Sequence, residues 1–183
     1  MKFYESGDNR KPVIFLFPGT CCLYSSFDHV LDGLHSYFYT VTVSYDGFDP
    51  NEKTEFYSME DECEKIEQEI RKKYGGRIYL VAKIQSSMVV PFMYKMVHTG
   101  TLPKFMQKKL DKTDGGKKEL YNGFLNMFGI GKGGNPWITK QSIYNQFYSD
   151  LVTKVQRGID VPGTTIHVFY ATKMGEKYEK RYC

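Results

Sequence analysis

Val13-Ile14-Phe15-Leu16-Phe17 is a continuous apolar run, and Pro18-Gly19-Thr20-Cys21-Cys22 follows it directly. A glycine turn at the end of a buried strand lets the backbone approach a ligand closely. Backbone N–H groups held in such a turn can point at the negative charge that develops on an acyl oxygen. The bland alternative is an ordinary strand-to-helix turn of a parallel sheet. Cys21 and Cys22 bring two thiols to the turn, ahead of an expected helix whose N-terminus would favour a thiolate. Small residues packed in a tight turn are the simpler account of both.

Other groups with chemical potential fit no reaction by their spacing. His29, His35, His98 and His167 are not spaced as metal ligands and read as structural or solvent-facing. Gly129-Ile130-Gly131-Lys132-Gly133-Gly134 lacks the spacing of a phosphate loop, has no Ser or Thr after Lys132 and follows no apolar strand. It reads as a loop. Ser86-Ser87 is separated from Ala82 by Lys83-Ile84-Gln85, with no glycine on either side. A nucleophilic serine on a strained strand-to-helix elbow needs small neighbours, so neither serine is expected to attack. No cofactor and no metal are expected.

The elements that would position the turn read as an α/β alternation. Met1–Glu5 fits a short edge strand, and Gly7-Asp8-Asn9 a turn. Pro12–Phe17 is apolar throughout, as in a strand covered on both faces. Ser26–Tyr37 has helical spacing, with Phe27, Val30, Leu31 and Leu34 on one side. Tyr39–Tyr45 is a second strand and ends in the loop Asp46–Pro50. Ser58 and Asp61 suit a capping box. Met59, Cys63, Ile66, Ile70 and Tyr74 then form an apolar stripe, with Glu60, Glu64 and Glu67 towards water and Gly75-Gly76 as the stop. Arg77–Ala82 is a third core strand, and strand, helix and strand in this order predict a right-handed parallel crossover. Ile84–Val97 is apolar and Met-rich, and residues 104–127 are lysine-rich and helical in pattern. Lys140–Arg157 predicts a helix with Ile143, Phe147, Leu151 and Val155 in register and Gly158 as its stop. Thr164–Tyr170 predicts a last strand, followed by a helix from Gly175.

Composition narrows the class. At 183 residues, one domain or a core with a small cap is expected. An apolar fraction of 41% suffices for a core, and aromatic rings at 16% suit cores and apolar pockets alike. The net charge is +4, with short runs at Lys108-Lys109 and Lys117-Lys118 but no dense basic stripe, so nucleic acid is not an expected partner. Cys21, Cys22, Cys63 and Cys183 form neither a disulfide framework nor a CxxC site. Met1-Lys2-Phe3-Tyr4-Glu5 carries charge where a secretory leader is apolar. No apolar run approaches the roughly 18 residues of a membrane span. A reduced, cytoplasmic setting is expected.

Taken together, Pro12–Phe27, Phe38–Asp49, Met59–Tyr74 with Arg77–Ala82, Pro91–Gln107 (PFMYKMVHTGTLPKFMQ) and Ser142–Tyr182 (with NQFYSDLV and IHVFYATKMGEKYEKRY) resemble small bacterial α/β-hydrolases of the sort found in Firmicutes. The resemblance implies an α/β fold: an incomplete α/β-hydrolase-like, mostly parallel sheet flanked by helices, with a helical cap. Residues 1–82 and 158–183 would form the core and 83–157 the cap. It implies a serine hydrolase acting on an ester, thioester or amide, with a small apolar acyl substrate or ligand. Thr20 and Cys21 match the oxyanion loop. Glu176, after Thr164–Tyr170, falls where such enzymes often place the triad acid; a surface Glu opening a helix is the other reading. The family's Gly-x-Ser-x-Gly elbow is not in the sequence, and Ala82 runs straight into cap-like residues. A segment of roughly 30 to 40 residues is therefore expected to be absent near Ala82-Lys83, the size of one helix–strand unit. The family's last strand and base histidine, which would follow the helix from Gly175, are expected to be absent too. The expected function is that of a catalytically incomplete hydrolase-family protein; the alternative is a non-catalytic fold remnant or small-molecule-binding module. A cysteine enzyme using Cys21 or Cys22 is a weaker third. An interrupted sheet exposes apolar edges, so a homodimer is an expected partner state.

Overall fold

Four described strands form one sheet: β1 (Lys2–Ser6), β2 (Val13–Phe17), β3 (Tyr39–Ser44) and β4 (Ile78–Ala82), in the order β1-β3-β2-β4. The computed structural model describes residues 1–74, 78–82, 94, 98, 104 and 137–153. The chain divides into two units, Met1–Thr153 and Lys154–Cys183, and the described residues all lie in the first. β2 runs parallel to β3 and to β4, while β1 runs antiparallel to β3. The mostly parallel sheet follows from the helical connections from β2 to β3 and from β3 to β4, because parallel strands need a crossover and cannot be joined by a tight hairpin.

Side chains alternate across the pleat. Val13, Phe15 and Phe17 pack with Val41, Val43 and Ile78 on one face. Ile14 and Leu16 pack with Phe27, Leu31, Leu34 and Phe38 on the other. The helices divide accordingly. α1 (Asp28–His35), entered through a 3-10 turn at Tyr24–Phe27, covers the Ile14/Leu16 face. α2 (Met59–Lys73) covers the Phe15 face through Met59, Ile66 and Ile70. Right-handed crossovers that run in opposite lateral directions, β2 to β3 and then β3 back to β4, place their helices on opposite faces.

Within the described residues the expected elements are present with shifted details. β1 begins at Lys2 and extends to Ser6, and α1 leaves Val30 exposed. Ser58 caps α2, its Oγ accepting the Asp61 N–H at 3.2 Å. The first turn of α2 holds Glu60, Asp61 and Glu62 and its last turn Arg71, Lys72 and Lys73, which complements the helix dipole. Two expectations for α2 are corrected. Tyr74 is the C-cap residue rather than a helical one. Cys63 is exposed, and its neighbour Glu62 is fully buried. The reason is a polar anchor: Glu62 Oε2 accepts the Asp46 N–H at 3.1 Å, which turns the start of the helix towards Glu62. α3 (Lys140–Val152) is capped by Thr139, whose Oγ1 accepts the Ser142 N–H at 3.0 Å. Ile143 and Phe147 join the core as expected, whereas Leu151 is exposed and Thr153 is extended. The expected strand Thr164–Tyr170, Glu176, Ser86-Ser87 and the Lys83 side of the junction lie outside the described residues.

Candidate functional site

In an open α/β sheet, ligands bind outside the carboxyl ends of the strands where the strand order reverses. Here β2 connects to β3 on one side, and the chain then crosses back to β4 on the other. The reversal lies between β2 and β4, whose register sets Phe17 beside Ala82. Residues 18–22 leave the sheet at this point. The Cys22 N–H donates to Gly19 O at 2.9 Å and closes a tight turn. Cys21 has φ +57° and is the one described non-glycine residue in the left-handed region. That conformation costs about 1–2 kcal/mol for a residue with a Cβ, so the surroundings must hold it.

α3 supplies the hold. The Cys21 N–H donates to Gln146 Oε1 at 2.6 Å, a buried hydrogen bond. One helical turn further on, Asp150 Oδ2 accepts from Thr20 Oγ1 at 2.6 Å. The stripe continues towards the helix start. Ser142 Oγ accepts the Phe56 N–H at 3.1 Å, Asn145 Nδ2 donates to Phe56 O at 2.8 Å, and Ser149 Oγ accepts the Met59 N–H at 3.2 Å. α3 thus presents Ser142, Asn145, Gln146, Ser149 and Asp150 inwards, at the i, i+3, i+4 spacing of one helix face, and joins the turn after β2 to the segment before α2.

Burial sets the electrostatics of two groups here, the Cys21 thiol and the Asp150 carboxyl. Burial pushes the Cys21 thiol well above its usual pKa, and the nearby Asp150 and Cys22 push it the same way. A nucleophilic thiol needs the opposite shift, and Cys21 is buried in the turn. Burial also raises the Asp150 carboxyl above the usual carboxylate range, opposed by the Thr20 hydroxyl. The folded state therefore holds the Asp150 proton more tightly than the unfolded chain. Stability falls as pH rises from the unfolded to the folded pKa and stays lower above it. Asp150→Asn keeps an acceptor for Thr20 and removes the buried charge. It is expected to raise Tm at neutral pH by about 2–4 °C, with the gain shrinking as pH falls towards about 4. Thermal melts of both proteins across this range check it; a gap that does not change with pH would refute it.

Asp46, Asp61 and Glu62 are the one described group of acidic side chains close enough to share a cation. Lys65 already ion-pairs with all three, at 2.5 Å from Asp46 and 3.3 Å from Glu62, so their charge is met from within the chain. A cleft of about 620 Å³ lies against the 46–57 segment, between Lys53, Glu55, Tyr57 and Trp137. It includes no residue of the 18–22 turn.

Thr20 and Cys21 are brought together with α3 at the switch point. Gln146 and Asp150 were not among the sequence candidates. Their signal was a run of small polar residues at helical spacing beside the apolar positions Ile143 and Phe147, a pattern that hydropathy alone assigns to solvent.

No protein-family model and no curated protein matches the chain. Solved structures do. A hydrolase from Pseudomonas aeruginosa PA01 aligns over 82% of this chain and 68% of its own, at 12% identity and a TM-score of 0.50. A 1H-3-hydroxy-4-oxoquinoline 2,4-dioxygenase aligns over 80% and 65%, at 15% identity and a TM-score of 0.50. A protein assigned to the α/β-hydrolase family from Desulfitobacterium hafniense aligns over 81% and 71%, at 9% identity and a TM-score of 0.49. The fold is an incomplete, α/β-hydrolase-like one. That a dioxygenase shares it is a reminder that chemistry resides in the site and not in the fold.

Proposed function

We propose that this chain is an acyl-binding protein of the α/β-hydrolase class that lacks the means to turn its ligand over. The ligand is a small ester, thioester or amide whose carbonyl oxygen sits on the Pro18–Cys22 turn, with the Cys21 N–H as donor and Thr20 beside it. One observation carries this reading: the Cys21 N–H, at the switch point of the sheet, already donates to a carbonyl oxygen at 2.6 Å. Donors so arranged stabilise an acyl oxygen in acyl transfer.

Incompleteness rests on the residues after β4. No serine of the sequence is framed as Gly-x-Ser-x-Gly, and Ser86-Ser87 has Gln85 and Met88 as neighbours. A segment of roughly 30 to 40 residues, one helix and strand, is absent after Ala82 in this proposal. The exposure of Leu80, 60% on an apolar strand at the edge of the described sheet, supports it. A sheet with such an edge favours pairing with a second copy. Glu176 keeps its proposed place as a remnant of the triad acid. The free Cys21, Cys22 and Cys63 suit a reduced cytoplasmic setting, and no described helix is long and apolar enough to cross a membrane.

The test is turnover of a short-chain p-nitrophenyl ester by the full chain and by its Ser86→Ala/Ser87→Ala variant. Without a nucleophile, only oxyanion binding remains, which is worth about 10³–10⁴-fold over water against the far larger effect of a full triad. Equal rates, far below those of a full triad, are expected from the two proteins. Turnover lost on either substitution would overturn the incompleteness and restore a serine hydrolase.

A further inference from the structure

We infer that Gln146 is a built-in occupant of the Cys21 N–H, through which α3 keeps the carbonyl site of the turn closed. The inference rests on the reading of that turn as an acyl-oxygen site and concerns its regulation. A backbone N–H only donates, so the Gln146 atom facing it is the carbonyl oxygen, and the carboxamide orientation is fixed by its partner. This oxygen is chemically the acyl oxygen of an amide. Gln146 is 1% exposed and its bond to Cys21 is buried, so water does not compete for the donor.

The occupant is held from both sides. Asp150, four residues on, binds Thr20, so α3 grips two consecutive residues of the turn. Ser142, Asn145 and Ser149 bind the backbone of Phe56 and Met59 on the same helix face. A ligand oxygen reaches the Cys21 N–H only when the Gln146 side chain swings away or α3 moves. The ligand chemistry that can take its place is a carboxamide or carboxylate, since either offers an oxygen acceptor of the same shape.

The experiment follows the Cys21 amide by hydrogen exchange and NMR in the ¹⁵N-labelled full chain, with acetamide as the probe. Gln146→Met conserves side-chain volume and removes the acceptor; Gln146→Ala also vacates the space. Loss of the bond is expected to speed Cys21 exchange by about tenfold or more in both variants. Acetamide is expected to slow it again in Gln146→Ala alone and to leave the wild type unmoved. Unchanged exchange in Gln146→Met overturns the inference even if Gln146→Ala fails to fold. So does a wild-type Cys21 resonance that shifts with acetamide. Faster exchange in both variants with no response to acetamide leaves Gln146 as the occupant and instead defeats the acyl-oxygen reading of the turn.

Discussion

Gly47→Ala is expected to lower Tm by about 5–20 °C, the thermal equivalent of roughly 2–5 kcal/mol for a chain of this size. Two independent costs add. Tyr45–Phe48 is a tight turn, with the Phe48 N–H donating to Tyr45 O at 3.0 Å, and Gly47 takes φ +77° at its third position. Such a turn asks for glycine there, and alanine in the left-handed region costs about 1–2 kcal/mol. A Cβ at Gly47 would also overlap Ser142 Oγ and lie 2.8 Å from Ser142 Cβ and 2.9 Å from the Phe56 nitrogen. Overpacking against fixed backbone costs about 1–3 kcal/mol more. Relief would move Ser142 or Phe56, whose mutual hydrogen bond anchors α3. Gly33→Ala is the control: it lies within α1 with nothing near its would-be Cβ, so it should hold or raise Tm. Equal melting of the Gly47→Ala protein and the wild type would show that this turn is not the tight contact described.

Phe15→Ala is expected to remove about 3–5 kcal/mol, a large share of the roughly 5–15 kcal/mol that holds a domain together. Phe15 lies on β2, between β3 and β4, and is fully buried. It meets the Tyr74 ring edge-on at 5.1 Å and stacks near Phe17 at 6.1 Å. β3 and β4 fix both flanks of β2 through backbone hydrogen bonds, so the strand itself is not free to shift into the vacated space. Urea denaturation should show a lower midpoint at an unchanged slope. Tyr37→Ser, at a residue 71% exposed, should move the midpoint little. A Phe15→Ala loss below about 1 kcal/mol would place the core elsewhere.

Much of the scaffold was legible before any coordinates. The apolar run at Val13–Phe17 reads as a two-faced central strand, because both faces of a parallel sheet are covered. Ser58 identifies a helix start, since an N-terminal N–H needs a side-chain acceptor wherever the helix lies. α2 shows where periodicity runs out. Cys63 and Glu62 sit side by side, and hydropathy turns the helix towards the thiol. The Asp46 N–H turns it the other way, because a buried backbone donor left unpaired costs more than an exposed cysteine loses.

The sequence was enough to read the types of the described elements, the parallel crossover and the turn at Pro18–Cys22, because these depend on local conformational preference and on the period of apolar residues. Only the tertiary structure decided what that turn meets. Gln146 and Asp150 stand 125 and 130 residues from their partners Cys21 and Thr20. A polar stripe on a helix has the same pattern whether water or a distant backbone satisfies it. The choice is made when Ile143 and Phe147 bury against the Phe15 face, since that docking carries their polar neighbours inwards and leaves each needing a partner within the protein.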